Sequence, residues 1–377
     1  MLASCVRSSP ESTAASSPVQ AAPSYVAQFD SLWIRFETVY PSFGYKGMNW
    51  QEQRALYRPR AQRARSQDEF VTVLLDMLRP LRDLHVFLID PQGHTVPTYR
   101  PPGNLNFNES RWELALRETG YTQHTAESGE ANIGGYPYLF IGSWKSPVTI
   151  ETLDVMLAGL RDAPGLILDL RTNAGGSDAT ALAFASRFTR RAFTASYVQI
   201  RTDPLVRDVK MPLARTITPR GPWQFIRPVV VITGRGGFSA TESFVAALRT
   251  LPHVTVIGDT TGGASGNPAT FRLAKGWRFT VPRWLEFGPD LLPIEGRGVA
   301  PHMAIRWNPD EYDSDRDPLI DQKTRRAMTR RFATMTTKHS HPHGRRSQEK
   351  TCTVKLPTRC WHRRRFGVLW LVDLQRP

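Results

Sequence analysis

Cysteine is scarce in this chain, three residues in 377. The later two, Cys352 and Cys360, are spaced like neither a zinc site nor a disulfide framework. His341, His343 and His362 do not repair that spacing, so neither a metal nor a cofactor is expected. Nowhere is there an apolar run of about 20 residues, and no transmembrane helix is expected. Acidic residues are in the minority, 34 against 49 Lys+Arg, for a net charge of +15. Such an excess suggests nucleic acid or an anionic membrane only where it covers the folded part. Here it does not: residues 323–377 hold 15 Lys+Arg and 2 Asp+Glu, which leaves 34 against 32 elsewhere. The nearly neutral remainder argues against specific nucleic-acid binding, and the basic tail, with Arg345-Arg346 and Arg363-Arg364-Arg365, reads as disordered.

What is present is a core. Hydrophobic residues make up 40% of the chain, enough for about two domains at this length. Phe29, Leu32, Trp33, Phe36 and Tyr40 recur at helical spacing, Trp50 to Arg65 follows as a second helix, and Phe70 to Leu81 is strongly apolar. Their aromatics read as packing. Later, Gly135 to Ile141 reads as a strand and Thr149 to Leu160 as an amphipathic helix leading to the apolar run Gly165 to Leu170. Pro228 to Thr233 reads as a fully buried strand, and Glu242 to Leu248 has the apolar spacing of a helix. The expected layout is a linker over 1–25, a helical domain over 26–90, an α/β core over 91–322 and the tail over 323–377.

Between that strand and helix sits Gly236-Gly237-Phe238-Ser239-Ala240-Thr241-Glu242. A serine there lies near a helix N-terminus, whose free N–H groups and dipole can stabilise a developing oxyanion. The other reading is equally direct: Ser239 is an N-cap, and Glu242 completes a capping box. A second segment bears on the choice. After the Gly165 strand comes Asp169-Leu170-Arg171-Thr172-Asn173-Ala174-Gly175-Gly176, a charged turn whose glycines let backbone approach a ligand.

Together these blocks resemble the core of the S41 serine peptidases, which include the tail-specific processing proteases, tricorn protease and the modules of interphotoreceptor retinoid-binding protein. The pattern is strand then D-L-R-x-N-x-G-G, and later strand then S-A-x-E. Val256 to Gly266 resembles the loop after the nucleophile helix, and Ile294 to Pro301 resembles the family's E-G-x-G-V-x-P-D element, with His302 in place of the last Asp. The resemblance covers about residues 25 to 322. It implies an α/β (α+β) fold, a ClpP/crotonase-like β-β-α core with an N-terminal helical domain. It also implies a serine peptidase acting on peptides or unfolded protein segments.

A serine hydroxyl needs a neighbour to take its proton. Bacterial processing proteases use a lysine from the loop that here reads Thr261-Gly262-Gly263-Ala264-Ser265, and that loop has none; Lys275 falls in a later hairpin. Tricorn-type members use a histidine from the N-terminal helical region with a supporting glutamate. Leu78 to Val86 resembles the family's L-x-D-x-H element, so His85 matches the histidine and Glu295 the glutamate. Imidazole, with a pKa near ~6.5, suits that task. Leu84 stands where tricorn has a serine. By the same resemblance the oxyanion hole comes from the N–H groups of Ala240 and of Gly175 or Gly176, while Asp169 and Arg171 hold the strand end and Glu242 stays a cap. The interval from His85 to Gly165 is too short for a PDZ domain as well as its other elements, so substrate selection falls to the cleft, with Arg187, Arg190, Arg191 and the Trp277 to Trp284 region as candidates for its lining. Met1 to Cys5 resembles the end of a bacterial lipoprotein signal, which implies lipid attachment at Cys5, an envelope location and a start codon placed too late; a cytoplasmic chain is the alternative. A catalytically inactive binding module on the same fold is the competing function.

Overall fold

Three helices open the described chain. In the first and third the apolar residues recur every three or four positions, and each of the three begins at a polar cap. They are α1 (Tyr25–Val39), capped by Ser24, α2 (Trp50–Arg63), capped by Asn49, and α3 (Gln67–Leu78), capped by Ser66. Trp33 and Trp50 lock α1 to α2, each indole N–H donating to the other residue's carbonyl at 3.1 Å. The computed structural model describes residues 24–103, 105–201, 212–305, 317, 319 and 320. Cys5, Cys352, Cys360 and the basic tail lie outside them.

The helices do not close a core alone. Their buried face packs on a four-stranded antiparallel sheet ordered β11-β12-β1-β2, formed by β1 (Phe87–Ile89), β2 (Thr95–Pro97), β11 (Pro268–Arg272) and β12 (Arg278–Pro282). Phe36 stacks on Phe279 of β12 with centroids 6.2 Å apart. Residues some 240 positions apart in the chain are thereby fixed together, which places the segment after α3 beside the later loops.

The second and larger layer is a seven-stranded mixed sheet ordered β14-β10-β9-β6-β5-β4-β3. Its strands β5 (Tyr136–Ile141), β6 (Leu166–Asp169), β9 (Val229–Thr233), β10 (Val254–Gly258) and β14 (Met303–Ala304) run parallel, and β3 (Thr122–Thr125) and β4 (Ser128–Ile133) form its antiparallel edge. Every residue of β6, β9 and β10 is buried, as expected of parallel strands covered on both faces. Leu166, Leu168, Val229 and Val231 face a core shared with α5 (Ile150–Ala158), α6 (Asp178–Ala185) and α7 (Ala240–Leu248). The alternate residues Ile167, Val230 and Ile232 face a second core with Trp112 of α4 (Glu109–Leu116). A three-stranded antiparallel sheet, ordered β13-β7-β8, completes the described fold with β7 (Phe193–Ile200), β8 (Leu213–Ile217) and β13 (Trp284–Phe287). Among the described residues no helix is long and apolar enough to cross a membrane, and no cluster of His, Cys, Asp and Glu is arranged for a metal.

β6, β9 and β10 are neighbours in the sheet, so the turns that leave their carboxyl ends converge. In parallel sheets that end is the usual place for a ligand. All of the catalytic residues expected from the sequence except His85 and Glu295 lie in those turns or at the start of α7.

Candidate active site

Ser239 ends the turn from β9 into α7 with φ 62° and ψ −129°. A side-chain-bearing residue in this region costs of order 1–3 kcal/mol and persists only where its surroundings impose it. They do: Ser239 N–H donates to the Ala264 carbonyl at 2.7 Å, and the Phe238 N–H to the Asn173 carbonyl at 3.2 Å. The N–H groups of Glu242 and Ser243 donate to the main-chain carbonyl of Ser239 at 2.8 and 3.4 Å. Gly175 lies directly against this turn. With φ +89°, it could not carry a Cβ, which would fall 2.6 Å from Ser239 Cβ and 2.9 Å from the Phe238 carbonyl.

The turn after β6 is held by charge and amide. Arg171, fully buried, binds Asp169 through Nε and Nη2 at 2.7 to 3.1 Å, and Asp317 through Nη1 at 2.9 and 3.0 Å. Tyr138 adds a hydroxyl to Asp169 at 2.8 Å. Asn173 then ties the two turns together: its Nδ2 donates to the Ile141 carbonyl at 3.0 Å, and its Oδ1 accepts from Gly175 N–H at 2.9 Å and from the Thr241 hydroxyl at 2.7 Å. This distinguishes the two glycines. Gly175 N–H is occupied, whereas the N–H groups of Gly176 and Ala240 donate no hydrogen bond among the described residues.

Glu242 does more than cap. Its carboxylate takes the Ser239 N–H at 3.3 Å, the Thr261 hydroxyl at 2.5 Å and the N–H groups of Gly263 and Ala264 at 2.8 and 2.7 Å. It therefore fastens the loop after β10 to the start of α7. Burial pushes its pKa up to about 7, against the pull of the Thr261, Gly263 and Ala264 donors.

His85, buried, sits on the segment after α3. Its N–H donates to Asp83 Oδ1 at 2.8 Å, its carbonyl accepts from Thr280 of β12 at 2.6 Å, and its ring meets Phe238 edge-on with centroids 6.0 Å apart. The ring is thus next to the residue that precedes Ser239. Burial holds its pKa below the ordinary imidazole value, against the pull of Asp83. Gly266 N–H donates to Nδ1 at 3.3 Å, so the neutral ring carries its proton on Nε2. Glu295, also buried, is paired elsewhere: Lys46 Nζ lies 2.6 Å from its Oε1. Burial and the nearby Asp83 drive the Glu295 pKa well up, and Lys46 opposes them. Asp83 Oδ2 accepts from the Tyr40 hydroxyl at 3.0 Å. Among the described residues no hydrogen bond joins Ser239, His85 and Glu295 to one another; the structure brings His85 to the Ser239 turn and turns Glu295 to Lys46.

Two family profiles cover most of this architecture: that of peptidase family S41 matches residues 136–305, and that of the tricorn protease C1 domain matches residues 24–79. A crystal structure of a candidate peptidase from Parabacteroides merdae is 27% identical with a TM-score of 0.71, covering 81% of this chain and 96% of that one. Over residues 136–305 the chain carries a peptidase family S41 domain. It is also similar to the carboxy-terminal processing protease CtpB of Bacillus subtilis, 27% identical over 56% of this chain and 41% of that protein. A tricorn protease homolog of Streptomyces coelicolor is 29% identical over 42% of this chain and 14% of that protein. The chain thus matches less than half the length of either relative.

Three of the substrate-lining candidates read from sequence, Arg187, Trp277 and Trp284, do other work. Arg187 is buried and forks onto Asp154 at 2.6 and 2.7 Å, Trp277 packs against the helical core, and the Trp284 indole donates to the Ser265 carbonyl at 2.7 Å. Three contributors gave no sequence signal. Lys46 lies in a glycine-flanked turn, Asp317 is 146 positions from its partner Arg171, and Glu286, buried, holds Ser243 at 2.9 Å and also receives the Ser265 hydroxyl and Arg215. Asn173 stood inside the motif, yet its role appears only once both turns are in place.

Proposed function

We propose that this chain is a serine endopeptidase that cleaves peptides or unfolded protein segments through an acyl-enzyme on Ser239. The observation that carries the reading is the strained Ser239 turn, pressed against Gly175, with two unused N–H groups beside it. Ser239 Oγ attacks the scissile carbonyl while His85 takes its proton, and the carbonyl oxygen becomes the oxyanion. The Ala240 and Gly176 N–H groups receive that charge without reorganising. Collapse of the intermediate returns the proton to the leaving amine, and water then repeats the sequence to free the acid.

A neutral His85 is the form that can accept a proton, and its lowered pKa keeps it in that form at neutral pH. The Gly266 contact is long, so moving the ring proton from Nε2 to Nδ1 gives up only one weak hydrogen bond and leaves Nε2 able to accept the Ser239 proton. Glu295 supports the imidazolium by charge and orients the ring once substrate draws the groups together; such contacts are often loose before substrate binds. Hydrolysis of a quenched peptide tests the assignment. Ser239→Ala and His85→Ala are each expected to lower kcat by about 10³-fold or more with the fold retained. Unchanged turnover in either variant would overturn it.

One observation favours the inactive binding module instead: the three side chains are not hydrogen-bonded to each other, and Glu295 is committed to Lys46. A chain that binds peptides but shows no turnover would establish that reading. Lipid attachment at Cys5 and an envelope location are part of the same proposal, tested by labelling the expressed precursor with a radioactive fatty acid; an unlabelled chain refutes them.

A further inference from the structure

Beside the loop after β10 lies a cleft of about 690 Å³ whose lining carries four cations, Lys46, Arg82, Arg235 and Arg297, and no acidic side chain. Leu84 and Tyr99 are among its apolar lining residues. The cleft adjoins the site through two short links. Asp83 and Leu84 separate Arg82 from His85, and Gly262 N–H donates to the Gly237 carbonyl at 2.8 Å, two residues before Ser239.

How far the four cations are already neutralised decides what the cleft can hold. Lys46 is committed, at 2.6 Å from a buried carboxylate. Arg235 is partly so, with its Nη1 on the Pro102 carbonyl at 2.6 Å and its Nε 3.4 Å from Asp259. Arg297 lies 3.5 Å from Asp290, both side chains about half exposed. An exposed pair at that separation is weak and is readily displaced by a better-placed anion. The Arg82 guanidinium has no hydrogen bond or ion pair among the described residues, while its backbone is fixed at φ 47° with its N–H on the Arg79 carbonyl at 3.1 Å and its carbonyl receiving Lys46 at 3.4 Å. A free guanidinium fork on a fixed backbone is suited to bidentate capture of a carboxylate.

We propose that this cleft is a carboxylate-binding subsite for substrate, with Arg82 and Arg297 as its ligating groups. The ligand's being a peptide rests on the peptidase reading above; its being anionic rests on the cleft. The carboxylate is an acidic side chain or the substrate's own C-terminus, and either source leaves the same requirement for Arg82 and Arg297.

The test uses the Ser239→Ala chain, so that binding is read without turnover. Fluorescein-labelled short peptides with a central Glu-Glu or Gln-Gln pair are compared, each as C-terminal acid and as amide, by anisotropy at low salt. The Glu-Glu peptide is expected to bind at least about tenfold more tightly than Gln-Gln, with a gap that closes in salt and disappears in the Arg82→Gln, Arg297→Gln double variant. If acids instead exceed amides while Glu and Gln peptides bind alike, the subsite stands with the chain terminus as its ligand. Equal binding of all the peptides, or a preference that survives in the double variant with an unchanged unfolding midpoint, overturns the subsite. Failure of the unaltered chain to cleave a peptide that shows this pattern counts against the peptidase reading alone.

Discussion

The turn after β6 and the corner around His85 are both buried and both charged, yet they are built on opposite plans. In the turn, Arg171 faces two carboxylates, and Asn173 has partners on both its oxygen and its nitrogen. An arginine does not give up its proton, so the arrangement has one charge state. At the corner two carboxylates are buried: Glu295 is ion-paired with Lys46, Asp83 accepts from the Tyr40 hydroxyl, and a neutral imidazole lies beside them. Here the charge depends on where protons sit. On the proposed function the difference is a division of labour: the fixed frame would hold the Ala240 and Gly176 N–H groups against Ser239, and the corner that can titrate would supply the base.

Arg171→Leu would strike the fixed side hardest. Removing the cation leaves Asp169 and Asp317 without their charge partner, and a loss of about 3–5 kcal/mol is expected in urea unfolding. A loss below about 1 kcal/mol would erase the contrast.

The next prediction asks whether the frame contains one titrating member. Glu242 has its pKa raised in the fold to about 7 from an ordinary value of 4.5. The folded chain therefore binds its proton more tightly, and this contribution is fully present below about pH 4.5 and is lost as pH rises through about 7. The span is of order 3 kcal/mol as an upper figure. Glu242→Gln should flatten that fall in the unfolding midpoint between pH 4.5 and 7.5. His85 runs the other way, its stabilisation present above about 6.5 and lost as pH falls below that. A wild-type curve over this range that Glu242→Gln leaves unchanged would show that Glu242 does not titrate there.

Gly175→Ala sharpens the comparison from the catalytic side. The new methyl meets Ser239 Cβ at a φ that disfavours side chains, and about 1–3 kcal/mol of stability should go. Turnover should fall far more than stability does, because the displaced groups are those at the reacting carbonyl. Proportional losses would make Gly175 a packing residue only.

Lys46→Met is the mildest. Glu295 can relieve the loss by taking a proton, so stability should fall by about 1–2 kcal/mol, less than in Arg171→Leu. The pH profile of kcat/KM should shift, and Lys46→Arg should restore it. An unmoved profile would separate Lys46 from the site.

Much of the frame was readable in advance. The continuous apolar runs Val229–Thr233 and Leu166–Asp169 are parallel strands because both faces are covered, and the spacing from Phe29 to Phe36 is a helix face. Ser239 and the Gly175-Gly176 turn stand out in the sequence because motif and turn chemistry coincide in short windows. What sequence could not separate was Gly175 from Gly176, since that depends on where Asn173 Oδ1 lies. Lys46, Glu286 and Asp317 could not be found from local pattern at all, as their partners are between 21 and 249 positions away and only the packing of separate layers brings them together. The expected lining by Arg187 failed for a related reason: an arginine near a site is indistinguishable in sequence from one that ties two helices.

The central claim is that the strained serine between β9 and α7 is a nucleophile activated by His85. Treatment with a fluorophosphonate, followed by digestion and mass analysis, tests it most directly. The account predicts one adduct, on Ser239, whose rate of formation falls steeply in His85→Ala; no adduct at Ser239, or an adduct formed as fast without His85, would contradict it.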